Sequence, residues 1–237
     1  MIPFEAARNP VKKGTSMQLQ DAIRQRRSIR QFLPKAVSED LIRDIIADAI
    51  WAPSWGNTQP WEIVVVSGQK MAEFKSKSQE ALLAGKEAVP DISMPQVWPD
   101  AYLNRYKELG KSVLGALAIA REDKEARLQH FVKMFGFFDA PAAILVIIDK
   151  ELALEYAMLD AGIFLQTFCL LAHDRGLGTC ILAVMVSYPE IARELFSIPD
   201  SKLIIMGAAL GWPDPDAPVN CLARKRKSLT EFVSWVK

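Results

Sequence analysis

The chain has 237 residues, half of which are hydrophobic and 24% of which are charged. This composition supplies apolar side chains for a sizeable core and is unlike that of a disordered protein. The 29 basic and 28 acidic side chains leave a net charge of +1. Nucleic-acid-binding proteins usually carry a surplus of basic residues, so the balanced net charge disfavours that class of protein. Only a local cluster of basic residues could still bind a nucleic acid.

The sequence also bears on the compartment of the protein. The longest apolar stretch, Ala140 to Ile148, is much shorter than the roughly 20 residues of a membrane-spanning helix. Residues 1–14 lack the basic and apolar regions of a secretory signal. Three scattered cysteines do not suggest a disulfide framework, and with two histidines they lack the spacing of a metal site. We therefore expect a cytoplasmic protein with no membrane partner and no metal.

Helical and strand-like patterns alternate along the chain. Apolar residues at helical spacing predict a first helix that reaches Arg26, and Ser38 is placed to cap a second helix that Pro53 ends. The remaining apolar patterns predict helices near 70–84, 151–174 and 189–196, and strands near 63–66, 143–148, 179–182 and 203–209. Residues 88–137 are the least regular part. Since no repeat or linker is visible, we expect one layered α/β or α+β domain over residues 1–237.

The first candidate site is the segment Arg26-Arg27-Ser28-Ile29-Arg30. Three guanidinium groups and a hydroxyl within five residues can surround a phosphate dianion through charge-assisted hydrogen bonds. A solvated basic surface is the alternative interpretation. The basic run Arg224-Lys225-Arg226-Lys227 is open to the same two interpretations, and would matter most as a second set of phosphate ligands.

The second candidate site is the stretch from Pro53 to Trp61, with the sequence PSWGNTQPW. Two prolines and a glycine favour a rigid, non-helical path between a helix and a strand. The amides of Asn57 and Gln59 could bind the edge of a planar heterocycle, because they both donate and accept hydrogen bonds. An ordinary helix-to-strand connection is the alternative.

The third candidate is Gly176-Leu177-Gly178-Thr179-Cys180. Small residues would allow the backbone to approach a flat ligand, although a helix stop followed by a strand start also explains them. The spacing is not that of a dinucleotide-binding fingerprint.

Taken together, these segments resemble the nitroreductase family of FMN enzymes. The matching pieces are RRSIRQF, LIRDIIADAIWAPSWGNTQPW, IVVVSG, GLGTC, and GAALGWPD before the basic tail. The stretches FFDAPAAIL and VSYPEIARELFSIPD are most similar to the nitrobenzoate-reductase-like branch. The resemblance implies an α+β fold, a three-layer α/β/α sandwich with a central mixed sheet, and FMN sites at a homodimer interface. It further implies that residues 88–137 form a variable helical insert that covers the active site.

The resemblance also implies roles for individual residues. Non-covalently bound FMN would be held at its phosphate and pyrimidine edge by Arg26, Arg27, Ser28 and Arg30, with Arg224 and Arg226 completing the phosphate site. Pro53, Ser54, Trp55 and Asn57 would reach the flavin from the other subunit. The backbone near Leu182 and Ala183 would donate an N–H to the flavin N5, although these side chains are less polar than in many relatives. The aromatic residues Trp98, Tyr102 and Tyr106 could line the pocket entrance or be core or surface residues of the insert.

The implied activity is reduction of nitroaromatic or other electron-poor molecules at the expense of NADH or NADPH. The donor and the oxidant would occupy the same pocket in ping-pong order, and no catalytic side chain is identifiable. Dehalogenation, enone reduction, flavin-dependent oxidation and non-catalytic flavin binding remain as alternatives. A nucleic-acid-binding protein that uses RRSIR and RKRK is a further alternative, disfavoured by the balanced charge.

Overall fold

The computed structural model describes residues 17–237, so the N-terminal segment in which no secretory signal is expected lies outside the described residues. The α-helices are α1 (Leu19–Gln25), α2 (Glu39–Ala49), α3 (Gly68–Leu83), α4 (Asp100–Ala116), α5 (Lys124–Phe135), α6 (Leu154–Asp174) and α7 (Pro189–Phe196). The strands are β1 (Glu62–Ser67), β2 (Ala142–Asp149), β3 (Gly178–Leu182) and β4 (Lys202–Gly211).

Local sequence signals account for most helix boundaries. The Ser38 hydroxyl accepts a hydrogen bond from the Leu41 N–H at 3.3 Å, which caps α2 as the sequence predicts. Pro189 lies in the first turn of α7, where its missing N–H costs nothing. Helix α6 ends before Gly176, whose φ of +76° favours glycine, and whose N–H donates to the His173 carbonyl.

The four strands form one sheet in the order β1-β2-β4-β3, and each neighbouring pair is antiparallel. This differs from the mixed sheet that the family resemblance implies. Within the described residues, the parallel pairing is a single bridge between Ser28 and Thr179. Alternating helices and strands suggest crossover connections, but hydrophobic periodicity does not determine strand direction, which follows from how each connection packs.

The sheet is covered by helices on both faces, which confirms the three-layer α+β architecture. Alternate residues of β2 point to opposite faces, so Ile144 belongs to one hydrophobic cluster and Leu145 to the other. Helices α2 and α6 cover the first face, with Ile45 and Phe164 fully buried. Helices α3, α5 and α7 cover the second face, where Phe74 is 1% exposed.

Helix α6 is the long apolar helix that the sequence predicts at the centre of the core. Phe164 and Phe168 are fully buried against the sheet, while Leu159 and Tyr156 remain exposed. Within residues 17–237, α6 is the helix that is long and apolar enough to cross a membrane by length and composition. It is longer than the uninterrupted apolar stretch Ala140–Ile148, but it contains the acidic residues Glu155, Asp160 and Asp174. The central helix of a protein core can be equally long and apolar, so these two properties alone do not indicate a membrane-spanning helix.

The irregular region 88–137 contains the long helices α4 and α5. Val113 of α4 packs in a small hydrophobic cluster with Ala217 and Val219, which attaches the helix to the chain that follows β4. The assignment of residues 1–237 to one domain remains a prediction. A shared sheet with a hydrophobic cluster on each face favours it.

Candidate active site

The arginine-rich segment after α1 runs beside the edge strand β3. The Ile29 N–H donates to the Thr179 carbonyl at 2.9 Å, next to the bridge between Ser28 and Thr179. A Cβ on Gly178 would lie 2.4 Å from Cγ1 of Ile29. Gly178 is therefore needed for close packing within this chain, which favours the structural interpretation of the GLGTC motif over approach to a flat ligand.

Asn220 joins the arginine-rich segment to the C-terminal region. Its Oδ1 accepts from the Arg30 N–H at 2.8 Å, and its Nδ2 donates to the carbonyls of Gln31 at 2.8 Å and Asp214 at 2.9 Å. The Arg27 guanidinium donates to the Asn220 carbonyl at 3.2 Å. Asn220 is buried and uses both ends of its amide, so it fixes the position of two segments that are about 190 residues apart.

A pocket of about 580 Å³ lies where these segments meet α4. This volume is within the usual range of small-molecule sites, about 300–1,000 Å³. The structure brings together here six of the residues singled out in the sequence: Arg26, Arg27, Ser28, Arg30, Arg224 and Arg226. Eight cationic side chains line the pocket, against the two carboxylates of Glu108 and Glu231. Such a surplus is suited to an anionic group.

The guanidinium groups in this pocket differ in the hydrogen bonds that they make within the chain. Arg224 donates to the backbone carbonyls of Arg24 and Arg26 at the end of α1, so it attaches the tail to the helix. Burial lowers the pKa of Arg224, and the positive charges of Arg27, Arg226 and Arg26 lower it further. Within the described residues, the Arg26 guanidinium makes no hydrogen bond or ion pair, which leaves it available to a ligand.

Two histidines are close enough to this cluster to be influenced by it. Burial lowers the pKa of His173, and the charges of Arg26, Arg27 and Arg224 act in the same direction. Burial also lowers the pKa of His130, with further contributions from Arg30 and Lys133. Both imidazoles are therefore biased towards the neutral form, as expected beside an excess of positive charge.

The loop from Pro53 to Trp61 has the rigid, non-helical conformation that its sequence predicts. Gly56, Asn57 and Gln59 have φ values of 56°, 58° and 49°, a region that non-glycine residues seldom adopt. The Ser54 hydroxyl accepts from the Gln59 N–H at 2.9 Å, and both carboxylate oxygens of Asp160 lie 3.1 Å from the Trp55 nitrogen. Held strain of this kind is often found at functional sites.

The loop does not reach the arginine pocket of its own chain. It is anchored at Asp160 near the start of α6, whereas the arginines lie beside His173 near the end of that helix. Fourteen residues of helix separate Asp160 from Asp174, or about 20 Å at 1.5 Å per residue. Pro53, Ser54, Trp55 and Asn57 are thus not brought together with Arg26 and Arg226 within one chain.

Leu182 and Ala183 lie at the end of β3, and their environments differ. The Leu182 side chain is buried in the core, and Ala183 is exposed. The Thr179 carbonyl points away from β4, because it accepts from the Ile29 N–H. Strand alternation therefore directs the backbone groups of Ile181 towards the same free edge. The 3-10 helix that begins at Ala183 follows directly. This edge is the one along which the arginine-rich segment runs.

The helical insert lines the pocket with residues that the sequence interpretation did not single out. Arg105, Glu108, Leu109 and Ser112 of α4 line it, whereas Trp98, Tyr102, Tyr106 and Phe131 do not. Trp98 and Tyr106 instead stack on one another, with ring centroids 6.4 Å apart. Asn220 and Asp160 were also missed, because no local pattern marks a residue whose partners are distant in the sequence.

Within residues 17–237, no group of three or more His, Cys, Asp or Glu side chains is arranged to hold a metal ion. Burial raises the pKa of the Cys180 thiol to about 11, so this cysteine is protonated at neutral pH and packs as a small apolar side chain. The site therefore depends on guanidinium, amide and backbone groups.

Comparison with known proteins places the chain in a family. Residues 23–212 match the model of the nitroreductase family. A nitrobenzene nitroreductase from Ectopseudomonas oleovorans is 33% identical over 94% of this chain and 98% of its own length. A 4-nitrobenzoate reductase from Pseudomonas putida is 34% identical over 89% of this chain and 92% of its own length.

The fold comparison agrees with the sequence comparison. The crystal structure of an FMN and NADPH-dependent nitroreductase from sphigopyxis sp. strain HMH superposes with a TM-score of 0.89 at 28% identity. It covers 93% of this chain and 100% of the other. The family match spans α2, the strained loop, the whole sheet and the arginine-rich segment, and ends before Arg224. The chain belongs to the nitroreductase family.

Proposed function

We propose that the protein is an FMN-dependent oxidoreductase that uses NADH or NADPH to reduce nitroaromatic or other electron-poor small molecules. The observation that carries the proposal is the arginine-lined pocket, in a chain of the nitroreductase family whose relatives are named for nitrobenzene and 4-nitrobenzoate reduction. The structural relative is described as FMN and NADPH-dependent.

The donor set of the pocket fits the phosphate of FMN. A phosphate monoester has about two negative charges at neutral pH and accepts several charge-assisted hydrogen bonds. In this proposal Arg26, Arg27, Ser28, Arg30 and Arg226 bind the phosphate and the adjacent pyrimidine edge. Arg224 contributes its charge while its donors hold the tail against α1. The lowered pKa of Arg224, caused first by burial and then by neighbouring arginines, supports a site that an anion would stabilise.

The edge of β3 provides the second part of the proposed site. The backbone N–H of Ile181 is directed to this edge, and Ala183 begins the 3-10 helix that follows it. In this proposal a backbone N–H of this segment donates to the flavin N5. The interaction needs only the backbone, which is why the apolar side chains of Leu182 and Ala183 are compatible with it. Bound FMN would take a hydride from the nicotinamide donor and pass the electrons to the oxidant.

The third part of the site is supplied by a second subunit in this proposal. Pro53, Ser54, Trp55 and Asn57 do not line the arginine pocket of their own chain. The Trp55 N–H is bound to Asp160, which lies about 20 Å along α6 from Asp174. The loop is exposed, and Trp51 and Trp55 are 83% and 67% exposed. Large exposed aromatic side chains are typical of protein interfaces. A homodimer would bury them and place the loop of one chain beside the pocket of the other.

We further propose a cytoplasmic location and a single domain over residues 1–237. Scattered, unpaired cysteines support a reducing compartment, since Cys169 and Cys180 are buried as free thiols. The insert helices α4 and α5 would shape the pocket for its oxidant.

The proposal is tested by the visible absorption spectrum of the purified protein during titration with FMN. NADPH or NADH is then added without oxygen, followed by 4-nitrobenzoate or nitrobenzene. We expect saturable FMN binding, loss of the flavin absorbance with the nicotinamide, and its return with the nitroaromatic. Failure to bind FMN would refute the proposal. Binding without reduction would favour a non-catalytic flavin-binding protein, and reduction without reoxidation by nitroaromatics would favour other flavin chemistry on the same fold.

A further inference from the structure

A second pocket, of about 400 Å³, adjoins the proposed flavin phosphate site. Four of its eight lining residues are arginines and none is acidic: Arg24, Arg27, Arg224 and Arg226. Arg27, Arg224 and Arg226 line both pockets and form a shared wall, whereas Arg24 and Cys221 belong to the second pocket alone. The two cavities are therefore neighbours that share one cationic wall.

A single phosphate does not balance the charge of these two pockets. The first pocket has eight cationic side chains and two carboxylates, and Arg24 in the second pocket adds another cation. One phosphate dianion contributes about two negative charges. A cationic surplus thus remains after the flavin phosphate is bound, and it is concentrated where no carboxylate lines the wall.

The position of Arg24 is fixed by backbone contacts. It lies in the last turn of α1, and its carbonyl accepts a hydrogen bond from Arg224. Its guanidinium is exposed and makes no hydrogen bond or ion pair within the part of the chain that the structure describes. A free guanidinium beside three others is the arrangement that binds a phosphoryl group.

We infer that the second pocket binds a phosphoryl dianion other than that of the flavin, with Arg24 as its specific ligand. This inference rests on the proposed function, because the shared wall is assumed to hold the flavin phosphate on its other side. Two sources share this chemistry: the 2′-phosphate of NADPH and a free inorganic phosphate ion. The first source would make the pocket a determinant of the choice between NADPH and NADH.

The test uses the FMN-loaded protein, the substitution Arg24→Gln, and Arg43→Gln as a control that removes an exposed arginine from α2, remote from both pockets. Calorimetry measures the binding of inorganic phosphate, and steady-state kinetics give kcat/KM for NADPH and NADH with one nitroaromatic. If the 2′-phosphate is the ligand, Arg24→Gln lowers kcat/KM for NADPH about tenfold and leaves that for NADH unchanged. Arg43→Gln changes neither.

The outcomes separate the two sources and the two proposals. If Arg24→Gln weakens phosphate binding about tenfold without changing NADPH kinetics, the second pocket binds free inorganic phosphate. That result supports the inference and assigns the ligand to the free ion rather than to NADPH. If Arg24→Gln affects neither measurement while the wild-type protein binds FMN and turns over, the inference is overturned and the proposed function stands. If the wild-type protein does not bind FMN, the proposed function fails first.

Discussion

At the scale of single residues, the sequence reveals side chains whose chemistry is concentrated locally and misses those that act across the fold. Arg26, Arg27 and Arg30 stand out because three guanidinium groups occur within five residues, and the structure places them in one pocket. Asn220 has no such local signal. Its amide contacts Arg30, Gln31 and Asp214, and only the folded chain brings these groups together.

Asn220 is predicted to be a positioning residue for the arginine pocket. Asn220→Ala leaves the half-buried Arg30 N–H and the Asp214 carbonyl without these partners, while the Gln31 carbonyl still accepts from the Asp214 N–H. The loss costs about 1–3 kcal/mol of unfolding free energy. We expect a lower urea midpoint and weaker FMN binding, measured by denaturation and flavin fluorescence. Asn104→Ala, at an exposed site in α4, serves as the control and changes neither property. Unchanged FMN affinity in a destabilised Asn220→Ala variant would show that the amide stabilises the fold without shaping the pocket.

At the scale of elements, the predicted helices and strands agree with the structure, while the packing between them was not predictable. Apolar periodicity located β2 and α6, because a buried strand and a core helix each impose a pattern on the sequence. The same patterns do not specify strand order or direction, so the sequence does not predict the antiparallel sheet that the structure shows. The two glycines of the GLGTC motif are required for different reasons. Gly176 ends α6, which the local sequence explains, whereas Gly178 leaves room for Ile29, which is distant in the sequence.

Gly178 is predicted to set the distance between the arginine-rich segment and β3. In Gly178→Ala the new Cβ would meet Ile29 at 2.4 Å, and relieving this overlap costs about 1–3 kcal/mol. Thermal unfolding should show this loss. The cost should be smaller in an Ile29→Ala background, where the overlapping side chain is shortened. Gly110→Ala has open space around its Cβ in α4 and should gain up to about 1 kcal/mol. Equal costs of Gly178→Ala in both backgrounds would contradict this explanation.

At the scale of the whole molecule, the cationic site influences stability as well as binding. The pKa values of His130 and His173 are lowered, first by burial and then by nearby cations. Well above pH 6.5, the ordinary pKa, both histidines are neutral in the folded and unfolded states and do not affect stability. As the pH falls through 6.5, the unfolded chain takes up protons before the folded chain does, so the free energy of unfolding decreases.

We therefore expect the protein to lose stability between pH 7.5 and pH 5.5, a window above the range of ordinary carboxylates. Urea denaturation at the two values measures the loss, and the double substitution of His130 and His173 by Gln should reduce it. Saturating FMN should also reduce it, because a bound dianion offsets the positive charge that disfavours protonation. An equal loss in the double variant would assign the pH dependence to other groups.

In the proposed enzyme, one flavin site is built from two chains. The loop bearing Trp55 and Asn57 is anchored at Asp160 in the first third of α6, whereas the arginine pocket influences His173 in the last turn of that helix. We therefore expect that neither chain completes a site alone. The exposed side chains of Trp51, just before this loop, and of Trp55 within it are typical of a subunit interface.

The most direct test is to mix two inactive variants. One carries Arg26→Gln and Arg226→Gln, and the other carries Trp55→Ala and Asn57→Ala, which retain the backbone bond to Asp160. Each homodimer has a defect in both sites, whereas a mixed dimer has one intact site. Random exchange of subunits should restore about one quarter of wild-type FMN-dependent activity, since half of the dimers are mixed and each has one working site. Mixed dimers, verified by native mass spectrometry, that show no recovered activity would contradict the two-chain site.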